Sequence, residues 1–343
     1  MKQYSASAAL EAALPIGIGI LVVLIIVVGF LLWSSTPKTA QPTVSAPMRI
    51  GLNPWIGNGV YYVAQEKGFF AKEKIRVEFV NADDIATERQ LLRTGQIDVA
   101  YSLTPESVAV FTDGGVKIKI VAANDLSFGA DGVIATKDIK TIEDLKGKTV
   151  AFETGSTSHF LLSYLLSAKG LTTNDLTVIN TIAPDAGAAF VAGKVDAAVT
   201  WEPWLSKADE RGGGHLLASS REARIIYDMP IMRADVAEKR KGDVSAMLRA
   251  VFAAQAWIPE HQEEATQIIA KQLKISPQEA SDQIKGVHWL SYQENIDTLT
   301  SGEYSVKHAL QAAGDLWFKL GIIKTKLDAG ALVDESFIKN LYR

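Results

Sequence analysis

Gly95-Gln96-Ile97-Asp98-Val99-Ala100 and, 98 residues later, Gly193-Lys194-Val195-Asp196-Ala197-Ala198 decide how this chain is read. In each stretch the glycine can take the left-handed conformation that stops a helix, and an apolar run suited to a buried strand follows at once. Working outward, the first copy is preceded by a strand pattern at 48–52, a turn-rich loop from Asn53 to Gly59, and a helical stretch at 60–67 stopped by Gly68. An alternating strand at 75–80 and a second helix at 85–93 complete it. The second copy repeats the order: strand 148–152, polar loop Gly155 to Ser158, helix 159–168, strand 176–180, helix 186–192 and strand 195–201. Alternating strands and helices predict α/β units with parallel strands. Two copies predict two lobes, whose strand-end loops face each other across a ligand cleft.

The chain has 343 residues, 48% of them hydrophobic and 22% charged, with a formal net charge of −4. That composition belongs to a folded protein with a real core. The acidic balance offers nothing to a phosphate backbone, so nucleic acid is not an expected partner. With no cysteine, disulfides, thiolate nucleophiles, Fe–S clusters and Cys-ligated zinc are excluded. The five histidines show no metal-binding spacing, and no phosphate-cradling glycine motif follows a strand. No cofactor is expected. An enzyme would need a nucleophile–base pair or a metal, and neither can be assembled.

Residues 14–33 (LPIGIGILVVLIIVVGFLLW) carry no charge and are long enough to span a bilayer as a helix. Trp33 suits the membrane–water interface. A cleaved signal peptide is the rival reading, but the run is long for one and no A-x-A-like site follows. The expectation is an uncleaved anchor after a short tail at 1–13. Residues 34–47 hold three prolines and six Ser or Thr, which predicts an extended linker. From 235 onward the patterns are largely helical: 244–258 ends before Pro259, Ser276-Pro277-Gln278-Glu279 is a capping-box start, and 304–320 is stopped by Gly321.

As a set, the motifs resemble a known family. They are Trp55 to Phe70 (WIGNGVYYVAQEKGFF), Thr94 to Ala100 (TGQIDVA), Asn124 to Ile134 (NDLSFGADGVI), Ile142 to Lys148 (IEDLKGK), Gly155 to His159 and Gly193 to Trp204 (GKVDAAVTWEPW). The region from 48 to about 260 is similar to the periplasmic-type substrate-binding proteins of ABC importers, in the branch handling nitrate, sulfonates, taurine and thiamine pyrimidine precursors. The resemblance implies an α/β, two-lobed periplasmic-binding-protein fold of type II-like form. Lobe 1 is expected at 48–134, lobe 2 at 135–227, and a return to lobe 1 with C-terminal helices at 228–343. It also implies a monomer with a small-molecule ligand and an ABC permease with its ATPase as partners. Two departures stand out. Family members are usually free in the periplasm or lipid-anchored through Cys, and the branch that makes a pyrimidine from its own His carries a Cys-rich motif that this chain lacks.

Candidate ligand-binding residues lie in the strand-end loops. Ser156, Thr157, Ser158 and His159 open a helix, where hydroxyls and free N–H groups hold an anion or carbonyl oxygen; an ordinary N-cap is the plainer reading. Trp201 and Glu202 end the last strand of the second copy, offering a flat wall and an acceptor for an amine. Trp55, with Asn53 and Asn58 beside it, is placed to face Trp201. Thr104, Asp125 and Ser127 follow later strands; Asp125 either pairs with a ligand cation or caps a turn. The resemblance implies a structural role for Asp131, at the hinge. The leading expectation is a tethered solute-binding protein with its binding domain outside the cytoplasmic membrane. The alternative is a ligand-sensing or structural component of a membrane signalling or stress complex.

Overall fold

The computed structural model describes residues 46–343 apart from 83, 84 and 303. The anchor expected at 14–33 lies outside the described residues, as does the linker up to 45. Among the described residues, no helix is long and apolar enough to cross a membrane.

The chain first lays down β1 (Met48–Leu52), β2 (Val77–Asn81), β3 (Val99–Leu103), β4 (Ile118–Ile120) and β5 (Asp125–Ser127). It continues with β6 (Asp131–Thr136), β7 (Thr149–Phe152), β8 (Thr177–Asn180), β9 (Ala197–Trp201) and β10 (Gly214–Ser219), then returns with β11 (Tyr227–Arg233) and β12 (Val287–Trp289). One sheet runs β12-β5-β11-β3-β1-β2, with β4 also against β11; the other runs β10-β6-β9-β7-β8.

The repeated pattern folds the same way twice. β1 lies between β2 and β3, parallel to both, and β7 lies between β8 and β9, parallel to both. Gly95 and Gly193 both have φ +73°, so each stops its helix in the left-handed region. The aspartates of the two copies do the same work. Asp98 accepts from the Arg49 amide at 3.0 Å, and Asp196 accepts from the Thr149 amide at 2.8 Å. Each ties the entry of the third strand to the start of the first.

The helix expected at 186–192 begins earlier, at Ala183. Pro184 sits in its first turn, where a missing N–H costs nothing. The C-terminal region is helical except for β12, which pairs antiparallel with β5; three residues are too few to show alternation in sequence.

Two crossings join the sheets, β5 to β6 through residues 128–130 and β10 to β11 through residues 220–226. The Val306–Lys319 helix packs on both sides of this junction. It lies against the Pro105–Asp113 helix after β3 and the Thr157–Ser167 helix after β7. Its fully buried Trp317 meets His159 and Phe160 at ring-centroid distances of 4.9 and 5.8 Å.

Candidate functional site

The strand-end loops of the two sheets enclose a cavity of about 460 Å³. The first sheet supplies Asn53, Pro54 and Trp55 after β1, Ile85, Ala86 and Arg89 from the Ile85–Thr94 helix, and Thr104 and Ser107 after β3. The second supplies Glu153, Gly155, Ser156 and Thr157 after β7, Ile182 and Pro184 after β8, and Trp201 and Glu202 at the end of β9. Asp131, Ile226 and Asp228 line it at the crossings, and Gln283 reaches it from the Pro277–Ile284 helix.

Seven of the residues singled out in the sequence line this cavity: Asn53, Trp55, Thr104, Ser156, Thr157, Trp201 and Glu202. The other five stand behind it. Asn58 donates to the Asn53 carbonyl at 2.5 Å and to its side-chain oxygen at 3.2 Å, fixing the loop that carries Trp55. Asp125 is buried; its carboxylate accepts from the Trp55 indole and the Tyr101 hydroxyl, both at 3.3 Å. Ser127 donates to Asp131 at 2.6 Å. Ser158 is buried with no partner for its hydroxyl. His159 accepts from the Gly155 amide at 3.1 Å and stacks on Phe152, and burial pushes its pKa down to about 4, so the ring is neutral.

Gly57 makes the Trp55 loop possible. A Cβ there would lie 2.4 Å from the Trp55 indole nitrogen and 2.5 Å from an Asp125 oxygen. The Gly57 carbonyl also accepts from Trp289 at 2.9 Å and Tyr101 at 3.2 Å.

The hydroxyls meet at the junction of the two sides. Thr157 donates to the buried carboxylate of Glu106 at 2.9 Å, and Thr104 also donates to it. Burial raises the Glu106 pKa, against these hydrogen bonds and the Arg89 charge. Ser156 caps the Thr157–Ser167 helix by accepting from the Ser158 amide at 3.2 Å. Glu202 accepts from the amide and hydroxyl of Ser206 at 3.1 and 2.9 Å, so it is both turn cap and cavity wall.

Arg89, Glu153, Asp228 and Gln283 were not legible as site residues. Arg89 and Gln283 sit on polar helix faces. Asp228 did carry a signal, as the lone acid in the apolar strand Tyr-Asp-Met-Pro-Ile-Met. Asp131, read as structural, lines the cavity as well as the crossing. Among the described residues no group of three or more His, Asp or Glu is arranged to hold a metal ion.

The chain matches the NMT1-like family over residues 41–274. It is 26% identical over 251 residues to the taurine-binding periplasmic protein of Escherichia coli, covering 69% of this chain and 77% of that one. Its fold is the periplasmic-binding-protein fold. The periplasmic aliphatic sulphonate binding protein SsuA from Escherichia coli superposes with a TM-score of 0.73 at 22% identity, covering 84% of this chain and 92% of that one. The periplasmic nitrate-binding protein NrtA from Synechocystis PCC 6803 does so with a TM-score of 0.67 at 22% identity, covering 86% and 88%.

Proposed function

The chain belongs to the NMT1-like family, and from that premise we propose that it is a solute-binding protein that delivers a small organic molecule to an ABC importer. The molecule is sulfonate- or taurine-like, or aminopyrimidine-like. One observation carries the reading: a cavity bounded by strand-end loops of both sheets, with Trp55 on one side and Trp201 on the other. A flat or methylene-rich ligand between two indoles buries apolar surface against both. Hydroxyls at the helix start, with Arg89, suit an anionic or carbonyl group. Nothing in this scheme requires a cofactor or a chemical step.

In this reading the two sheets are the two lobes, 48–127 and 131–219, and 227–343 returns to the first. The boundaries expected at 134/135 and 227/228 move to the crossings at 128–130 and 220–226, because β6 begins at Asp131 and pairs in the second sheet. Ligand touching both lobes favours the closed form, a population shift about the two crossings, and the closed form docks on the permease. The apolar run at 14–33 holds the protein, a monomer, to the cytoplasmic membrane with its binding domain outside.

A thermal-shift screen of the purified protein with taurine, alkanesulfonates, nitrate and aminopyrimidines tests the reading. A micromolar ligand at millimolar concentration should add about 4 kcal/mol to stability. A flat response from folded, ligand-free protein would contradict it.

A further inference from the structure

Asp131, Glu153, Glu202 and Asp228 line the cavity against the single guanidinium of Arg89. The two carboxylates at the crossings are the buried ones, Asp228 at 4% and Asp131 at 5% exposure. Asp131 begins β6, where the chain leaves the first sheet. Asp228 stands in β11, where it returns, opposite Asp125 of β5. Asp125 and Asp228 thus face each other across two paired strands, both buried, and two carboxylates so placed retain a proton between them where no cation accompanies them.

The charges acting most strongly on these three aspartates are acids. They act on one another, Glu88 adds to Asp228, and Glu106 adds to Asp131. The hydroxyls of Tyr101 and Ser127 and the indole of Trp55 donate to the cluster; Tyr61 packs edge-on against Tyr101. The neighbouring cations are engaged elsewhere: Arg89 acts on Glu106, Arg221 and Arg224 lie over Phe128, and His288 of β12 meets Glu294. Burial lifts Asp125 and Asp131 to about 7 and Asp228 well above the carboxylate range. A buried carboxylate without a counter-ion keeps a proton or takes a cation.

We propose that the crossing end of the cavity receives a positively charged nitrogen of the ligand, a protonated amine or an amidinium, held by Asp131 and Asp228. The proton held by the Asp125–Asp228 pair leaves for solvent as a charged amine enters, or passes to the ring nitrogen of a neutral aminopyrimidine; charge is conserved either way, and only that O–H bond is broken. This rests on the solute-binding reading and selects within it. Nitrate and simple alkanesulfonates lack the cation; aminosulfonates carry it, and aminopyrimidines acquire it by protonation. The site is the cavity between the two tryptophans, and the aspartates determine what it accepts.

Isothermal titration of the full-length protein with two matched pairs, taurine against ethanesulfonate and 4-aminopyrimidine against pyrimidine, tests this. Titrations in buffers of different ionisation enthalpy count the protons released. The expected result is that the aminated member of at least one pair binds at least tenfold tighter, with about one proton released by taurine and no net release by 4-aminopyrimidine, which takes the proton up. For taurine, affinity should rise up to about tenfold per pH unit between pH 5 and 7. D228N and D131N should weaken the aminated probe more than tenfold, and D228N should abolish the proton release. The wild-type comparison of matched pairs stands even where a variant folds poorly. An amine-free probe binding as tightly, or taurine binding without proton release, overturns the proposal and leaves solute binding intact. No binding by either pair or by the wider screen, in protein that melts cooperatively, overturns both.

Discussion

Thr157, the first residue of the Thr157–Ser167 helix on the second sheet's side, donates its hydroxyl at 2.9 Å to Glu106 of the Pro105–Asp113 helix on the first. Thr104 stands 3.3 Å from Thr157 and donates to the same carboxylate oxygen. One buried carboxylate thus holds hydroxyls from both sides of the cavity together. Replacing Thr157 by Val keeps the shape and removes the bond. A single hydrogen bond to a charged group is worth about 1.5–3 kcal/mol, so T157V should weaken ligand binding about tenfold or more. Titration calorimetry measures this, and unchanged affinity would show that the contact does not contribute to the bound state.

Trp201 is half-buried at the end of β9, so truncating it should cost binding more than folding. Loss of an aromatic wall removes about 1.5–3 kcal/mol, or roughly 10- to 100-fold in affinity. W201A should show that loss with a melting temperature close to the parent's. A large fall in melting temperature with intact affinity would assign Trp201 to the fold.

Gly57→Ala forces a methyl against the Trp55 indole and the Asp125 carboxylate. Overpacking of this kind costs about 1–3 kcal/mol. Because the displaced group is the cavity wall, affinity should fall at least tenfold alongside stability. Urea denaturation and calorimetry on the same variant separate the two effects, and parental values in both would contradict the tight approach.

His159 and Asp131 give opposite pH dependences. His159 titrates at about 4 in the fold and near 6.5 unfolded. Its contribution is therefore present above pH 6.5 and lost as pH falls through 4. Asp131 is raised to about 7, so its contribution is present below about pH 4 and lost as pH rises through 7. H159F should flatten the acid side of the stability profile, while losing about 1 kcal/mol near neutrality with the Gly155 bond. D131N should flatten the decline towards pH 7. Urea midpoints from pH 4 to 8 measure both, and an unchanged acid slope in H159F would exclude His159 as its source.

The duplicated plan was legible because its signals are local. A glycine stop, an aspartate and an apolar strand recur in order, and Asp98 and Asp196 dock their strands in the same manner. The loops carrying Trp55, Ser156 and Trp201 were legible because strand ends are where such sheets bind ligands. Asp228 and Gln283 were not, because only the return of the chain through β11 and the late Pro277–Ile284 helix brings them to the cavity. Asp125 read as a ligand contact from its place after a strand, but β11 and Trp55 cover it. Residue type and position showed which loops converge, while tertiary packing decided which side chains stay open to the cavity.

The central claim is that a small solute sits between Trp55 and Trp201. Its most direct test is a fluorescence titration of the full-length protein with the strongest thermal-shift ligand, in parallel with W55A and W201A. The account predicts a saturable change in the parent and at least tenfold weaker binding in both variants. Parental affinity in both would place the ligand elsewhere and contradict it.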